Sequence, residues 1–314
     1  MEIKHLEGLI AAPFTPLNTD GSLNTSIIPA YYQMLKANKI TGAFICGSTG
    51  EGVSLTMQEK KFTTKAWANC TKNDKDFKVM LLVGGTCIAD CIELAKYAQQ
   101  SGIYAVSFTA PFYFILQDVE TLAACCKAIA GSVPGLPFYY YHIPVLNDAN
   151  FPMINLLKCV DGKIPNFAGI KYTHEDFMDF LSCLHFEEGK YDMLWGRDEN
   201  MLSALAVGSK GAVGSTFNYA APLYYDMIDA FNNNDFAKAQ ALQQQSIDMI
   251  TLLGKYGGIA AGKAYMKLIG VDCGEFRLPV KNMSAEQFES FKKDTEQIYF
   301  SSFCSRKPSA VKAD

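Results

Sequence analysis

The chain has no apolar run approaching the roughly 20 residues that a membrane span needs. It is also sparing in charge: 19% of its 314 residues are charged against 49% hydrophobic, and its mean hydropathy is near zero. Both features place it among folded globular proteins and exclude the disordered and membrane classes. An excess of positive charge is missing too. The net charge is −4 and the four histidines are scattered, so there is no basic footprint for nucleic acid or for an anionic membrane surface. The opening stretch, MEIKHLEGLIAAPF, mixes acidic with basic side chains and runs into a strand-like segment, unlike a signal or an Arg-rich transit peptide. The ten cysteines contain no CxxC pair. Cys87 with Cys91, and the adjacent Cys125 and Cys126, read as core thiols and not as a metal or redox site, and reduced thiols in a cytoplasmic protein are expected. The sequons at Asn24, Asn69 and Asn282 carry no weight without an export signal.

What the chain does have is alternation. Short apolar, β-rich runs at 9–14, 42–46, 79–83, 105–109, 138–141, 168–171, 193–195 and 212–215 make eight candidate strands. Between them lie stretches of helical period at 25–36, 56–70, 89–100, 119–129, 153–159, 177–184 and 199–207. Thr25, Thr56 and Asp198 read as caps or first-turn residues, and Gly102, Gly208 and Gly211 punctuate the returns to strand. Eight such units predict a closed (β/α)8 barrel with an outer ring of helices; a doubly wound open sheet is the alternative, because strand counting does not show closure. After the eighth strand the alternation stops, and helices are expected at 222–232, 235–255, 262–268 and 285–299. The expected organisation is a barrel over 1–221 carrying the active site, a helical extension over 222–305 packed on it, and a tail over 306–314.

Chemistry is expected where strands end and βα loops begin. The run FAGIKYT puts Lys171 at the end of an apolar strand. Burial there would strip solvation from the ammonium and bring its pKa down from about 10.4 toward the range of a nucleophilic amine, as Schiff-base chemistry requires. Taken alone, the same lysine reads rather as a strand-closing residue that extends its charge to solvent, so other stretches must decide the matter. After the second strand, Gly47, Ser48, Thr49, Gly50, Glu51 and Gly52 combine a tight glycine turn with two hydroxyls suited to a carboxylate or phosphate. It is not a P-loop, since the GKS/T ending is missing. Ala110-Pro111-Phe112-Tyr113 follows the fourth strand. On the fifth, Tyr139, Tyr140 and Tyr141 must alternate in direction, so at least one phenol enters the barrel, with Tyr141 a candidate acid/base group and His142 a structural residue. Asp198 and Glu199 after the seventh strand either start a helix or accept hydrogen bonds from a polyhydroxylated ligand.

The GSTGE, YxIP and GxKxT elements, in this order and on these strands, resemble the dihydrodipicolinate synthase and N-acetylneuraminate lyase superfamily of class I aldolases. The resemblance spans about residues 6–221, and the helical tail fits the family's usual C-terminal bundle. It implies that Lys171 captures a 2-keto group as an imine, that Ser48 and Thr49 bind the neighbouring carboxylate, that Tyr141 moves the proton, and that Tyr113 completes a relay in the neighbouring subunit of a tight dimer. An obligate homo-oligomer follows, usually a tetramer built as a dimer of dimers, with no metal or organic cofactor. The lyase branch fits best. The synthase branch typically carries an arginine two residues beyond the YxIP proline, where this chain has Leu146, whereas the GxDE pattern is present as Gly196, Asp198 and Glu199, followed by Gly214, Ser215 and Thr216. These residues, with Thr173, are implied to hold the carboxylate end and polyol tail of open-chain N-acetylneuraminate, cleaved reversibly to N-acetylmannosamine and pyruvate. The alternatives are a sister aldolase or dehydratase for another 2-keto sugar acid, dihydrodipicolinate synthase itself, and a non-catalytic barrel that binds a small acid. One departure stands out: Asn147-Asp148 replaces the Ser-Gly or Thr-Gly usual after the YxIP element.

Overall fold

The computed structural model describes residues 3–306; the expected tail from 307 onward lies outside them. Eight strands, β1 (Gly8–Ala11), β2 (Gly42–Ile45), β3 (Lys78–Leu82), β4 (Ala105–Phe108), β5 (Phe138–His142), β6 (Phe167–Tyr172), β7 (Asp192–Trp195) and β8 (Gly211–Gly214), pair in sequence order, all parallel. β8 returns to β1 with Gly211 opposite Gly8 and Gly214 opposite Ala11, so the sheet closes into a barrel and the open-sheet alternative falls. Every expected strand is present. The first ends at Ala11, short of the expected residue 14, because the chain leaves the sheet before Pro13, which has no N–H to donate to a ladder.

Alternation along the strands divides the apolar residues between two cores. Ile10, Phe44, Met80, Leu82, Ala105, Tyr139, Tyr141, Leu194 and Val213 fill the barrel interior. Their neighbours, such as Leu9, Ile45, Leu81, Val106, Tyr140 and Tyr172, pack outward against the helices. The interior also takes one carboxylate near the start of its strand. Asp192 is buried and accepts from the Tyr139 hydroxyl at 2.8 Å and the Leu6 N–H at 3.1 Å. Burial pushes its pKa up to about 7.

The helices are α1 (Ile28–Ala37), α2 (Met57–Thr71), α3 (Ile88–Ser101), α4 (Val119–Gly131), α5 (Pro144–Asn147), α6 (Met153–Val160), α7 (Phe177–His185), α8 (Met201–Ala206), α9 (Phe217–Asn232), α10 (Phe236–Lys255), α11 (Ala260–Leu268), α12 (Ala285–Gln297) and α13 (Phe300–Phe303). Their starts follow local chemistry. Thr56 and Glu59 form a reciprocal capping box on α2, and Ser284 with Gln287 does the same on α12. Asp118, Asp176 and Asp235 cap α4, α7 and α10 through their carboxylates. α9 begins at Phe217, five residues before the expected start at 222, so it crosses the expected boundary at 221/222. The absent N–H of Pro222 is accommodated by a kink at Ala220, whose φ and ψ are −138° and 28°.

Two polar clusters tie the C-terminal helices to the barrel. Lys263 on α11 donates to Glu51 Oε1 at 2.7 Å and to the Glu275 carbonyl at 2.9 Å, with both side chains of the ion pair 3% exposed. The other oxygen of Glu51 accepts from the Arg277 N–H at 2.9 Å. Gln243 on α10 accepts from the Leu202 N–H and donates to the Asp198 carbonyl. The first of these reaches the loop after β2, the second the loop after β7.

Candidate active site

Lys171 points into the barrel from β6, with Tyr141 of β5 and Leu194 of β7 as its register partners. It is 4% exposed. Its Nζ lies 4.0 Å from the centroid of the Tyr141 ring and 4.2 Å from that of Phe44, so two aromatic faces replace water around the amine. The rings favour the ammonium weakly, whereas loss of solvation disfavours it strongly. Burial lowers the Lys171 pKa to about 7, and the negative charge of Asp198 offsets part of that fall. The solvent-reaching alternative therefore does not apply, and a neutral amine is populated near neutral pH.

Tyr139 and Tyr141 enter the barrel while Tyr140 faces the helices, as strand alternation requires. Burial raises the pKa of Tyr141, and the adjoining Ser48 and Thr173 hydroxyls pull it partly back. Its phenol keeps its proton at neutral pH and is suited to passing one along, not to holding a negative charge. His142 is buried on the helix side with its ring centroid 5.5 Å from that of His174; burial, then that second imidazole, lowers its pKa to about 3.

Tyr141 forms part of the wall of two cavities at the barrel mouth. One, of about 270 Å3, is lined by Lys171, Thr49, Thr173, Gly196, Arg197, Asp198, Glu199 and Ser215 among others, and is closed on one side by Ile250 and Leu253 of α10. The other, of about 250 Å3 and mostly apolar, includes Ser48, Thr109, Phe112, Leu146 and Asn147. Ser48 thus lines one cavity and Thr49 the other, with Tyr141 in the wall of both. The loop that carries them is tightly curled: the Gly52 N–H donates to the Gly47 carbonyl and the Glu51 N–H to that of Ser48, and the non-glycine residues Cys46 and Glu51 take φ near +55°. Such conformations persist where the surroundings over-determine them. Here the ion pair of Glu51 with Lys263 supplies that restraint.

Asp198 lies in the first turn after β7, yet its side chain is not spent on its own helix. Oδ2 accepts from the Thr216 N–H at 2.8 Å and the Thr216 hydroxyl at 2.6 Å. Since that hydroxyl gives its proton to Asp198, the Tyr224 hydroxyl 2.6 Å away donates to it, and Ser246 donates to Tyr224 in turn. Burial raises the Asp198 pKa to about 7 despite these donors. Two glycines make room for the arrangement. A Cβ at Gly214 would fall 2.2 Å from Asp198 Oδ1, and one at Gly196 would fall 1.9 Å from Thr173 Oγ1. That explains the glycines of the GxDE and GST elements.

Eight of the expected site residues, Lys171, Tyr141, Thr49, Thr173, Gly196, Asp198, Glu199 and Ser215, line one cavity, and Ser48 adjoins it through Tyr141. Tyr113 does not join them within this chain. It is 78% exposed at the mouth, packed edge-on against Phe114, with Phe112, Val53, Val145 and Leu146 also exposed. Asn147, in the departing loop, is buried, donates to Thr109 Oγ1 at 2.9 Å and accepts from the Ala149 N–H at 3.1 Å, while Asp148 takes a left-handed conformation. The loop is thereby closed without the usual glycine. Sequence reasoning missed Phe44, Arg197, Ile250 and Leu253. Arg197 stood inside the GxDE run, and Phe44 could be found from the alternation of β2. The two α10 residues carry no local signal at all.

The sequence profile of the dihydrodipicolinate synthetase family matches residues 5–298. N-acetylneuraminate lyase of Rattus norvegicus is 35% identical over 304 residues, which is 96% of this chain and 95% of that protein. The solved structure of Proteus mirabilis N-acetylneuraminate lyase superposes with a TM-score of 0.91 at 37% identity, covering 95% of this chain and all of that one. The N-acetylneuraminate lyase (sialic acid aldolase) of Aliivibrio salmonicida gives the same TM-score at 35% identity, covering 95% and 98%.

Proposed function

The chain belongs to the dihydrodipicolinate synthetase family, and from that premise we propose that it is a carbon–carbon lyase of the class I aldolase type, cleaving N-acetylneuraminate reversibly to N-acetylmannosamine and pyruvate. The observation that carries this reading is the state of Lys171: an amine held in an aromatic, water-poor pocket, with its pKa brought to about 7, facing a polar cavity. The near full-length likeness to N-acetylneuraminate lyases supplies the substrate.

The open-chain sugar acid lays its carboxylate against the Ser48 and Thr49 loop. The Lys171 amine adds to the C2 carbonyl and water leaves, forming a protonated imine that can accept electrons. Tyr141 relays the proton of the 4-hydroxyl, receiving it as its own phenolic proton moves on along its hydroxyl neighbours; the C3–C4 pair flows into the imine as that bond breaks, N-acetylmannosamine departs as the aldehyde, and one proton is left in the relay for the enamine. Protonation of the resulting enamine at C3 and hydrolysis return pyruvate and free Lys171. The cavity bounded by Asp198, Glu199, Thr173 and Ser215 takes the polyol tail. The reaction needs no oxidant and no metal or organic cofactor. Leu146 offers no charge to a second carboxylate, which favours a neutral sugar tail over the acceptor of a synthase.

Oligomerisation belongs to the same reading. The exposed Tyr113, Phe112 and Phe114 next to the Ser48 cavity would be covered by a second copy, with Tyr113 completing the partner's proton relay in a tetramer assembled from tight dimers. The ten free cysteines are consistent with the reducing cytoplasm. No helix among the described residues is long and apolar enough to cross a membrane.

The test is borohydride trapping with N-acetylneuraminate as the sole keto acid, followed by peptide mapping. A reduced pyruvyl adduct on Lys171, absent in Lys171→Ala, is expected. An adduct that forms only when free pyruvate is supplied would keep the aldolase chemistry and reject the substrate; none from either would leave a barrel that binds acids without catalysis.

A further inference from the structure

Arg197 occupies the variable position of the GxDE run, directly beside the Lys171 cavity, which it helps to line. Its Nη2 makes two ion pairs, at 2.7 Å to Glu175 Oε1 and at 2.6 Å to Glu199 Oε1. Glu175 belongs to the loop after β6, which also carries Thr173, and Glu199 to the loop after β7. One guanidinium therefore staples the two loops that border the far half of the cavity. Its backbone is held as well, because the buried Trp195 indole N–H donates to the Arg197 carbonyl at 2.7 Å. The staple is unfinished. Nε–H is buried and has no acceptor among the described residues.

A buried N–H without an acceptor is uncommon in a folded protein. Arginine presents its donors in a rigid planar fork, and here that fork holds a carboxylate acceptor, Glu199, at its edge. A donor and an acceptor side by side match a vicinal diol, in which each hydroxyl both gives and receives a hydrogen bond. We propose that Arg197 is a specificity-determining residue for the polyhydroxylated tail of the substrate, reading it through its part-exposed guanidinium together with the Glu199 carboxylate that it positions. This rests on the aldolase reading above and assigns it a recognition element outside the GxDE residues themselves. The two glutamates around one arginine leave the site net negative. It therefore suits a neutral polyol and disfavours a phosphorylated or carboxylated tail.

The measurement is the split between two constants in the intact protein: KM for N-acetylneuraminate cleavage, and the half-saturating pyruvate concentration for borohydride trapping on Lys171. Arg197→Met is expected to raise the first by at least about tenfold while leaving the second within about twofold, since pyruvate has no tail to be read. Glu175→Gln, which loosens the staple and leaves the fork in place, is expected to give a smaller rise in the same constant. Should Arg197→Met fail to fold, Arg197→Lys keeps the charge without the planar fork and is expected to raise KM for the sugar acid selectively. An unchanged KM in these variants, or equal shifts in both constants, would overturn the assignment of Arg197 alone. A wild-type protein that traps pyruvate but does not cleave N-acetylneuraminate would overturn the substrate reading and this one with it.

Discussion

The Lys171 Nζ stands over the face of the Tyr141 ring, 4.0 Å from its centroid, so the two residues meet through amine and π cloud and not through a hydrogen bond between Nζ and the phenol. The ring and the hydroxyl of Tyr141 therefore have separable tasks. The ring helps to exclude water from the amine; the hydroxyl, beside Ser48 and Thr173, is the part proposed to handle the proton.

Tyr141→Phe keeps the ring and removes the hydroxyl. Imine formation with pyruvate is expected to survive, while kcat for cleavage falls by about 10²–10⁴, the usual worth of a positioned acid/base group. Trapping efficiency and steady-state turnover, measured on one preparation, check this. Parallel loss of both would mean that the hydroxyl sets the state of Lys171 itself.

Attack on the keto group needs the neutral amine, so kcat/KM is expected to rise with pH through about 7 and then level off. The same shift contributes to stability with a definite sign. The folded Lys171 pKa lies below its value of about 10.4 in the unfolded chain. Between about 7 and 10 the unfolded state consequently holds more protons, and this group's contribution to stability grows as pH rises across that window. Lys171→Met should abolish the activity limb and flatten that part of the difference in urea midpoints between pH 7 and 9.5. A wild-type profile with no limb near neutrality would show the amine to be an ordinary lysine.

Removing Lys263 leaves the Glu51 carboxylate buried and unpaired beside the strained Ser48-Thr49 loop. Lys263→Met is expected to cost about 3–5 kcal/mol of stability and to weaken pyruvate binding, although α11 contributes no residue to the cavity around Lys171. Pairing it with Glu51→Gln should recover part of the stability by removing the orphaned charge. Denaturant unfolding and pyruvate trapping, followed side by side, separate the two effects.

Much of this protein is local information. The apolar runs and the helical stretches between them are set by periodicity within about fifteen residues, and Thr56, Asp118 and Ser284 begin their helices through hydrogen bonds to residues three positions on. Lys171, Tyr141 and the GSTGE loop were legible as candidates because strand ends and turns have their own chemistry, and the family resemblance supplied the roles expected of them. Boundaries were less so: the early start of α9 depends on a kink that tertiary packing stabilises around Pro222.

The sequence by itself determined which residues could do chemistry and on which strands they stand, since a strand's alternation decides that Tyr139 and Tyr141 face one way and Tyr140 the other. Only the tertiary structure decided that the barrel closes, that Phe44 and Tyr141 flank the amine on adjacent sides, that Asp198 is tied to Thr216 and backed by Gly214, and that Arg197 joins the loops after β6 and β7. The physical reason is distance along the chain. The Lys263 and Glu51 ion pair joins residues 212 positions apart, and no periodicity within one element encodes such a contact, which exists because a closed barrel carries both side chains into the same dry space.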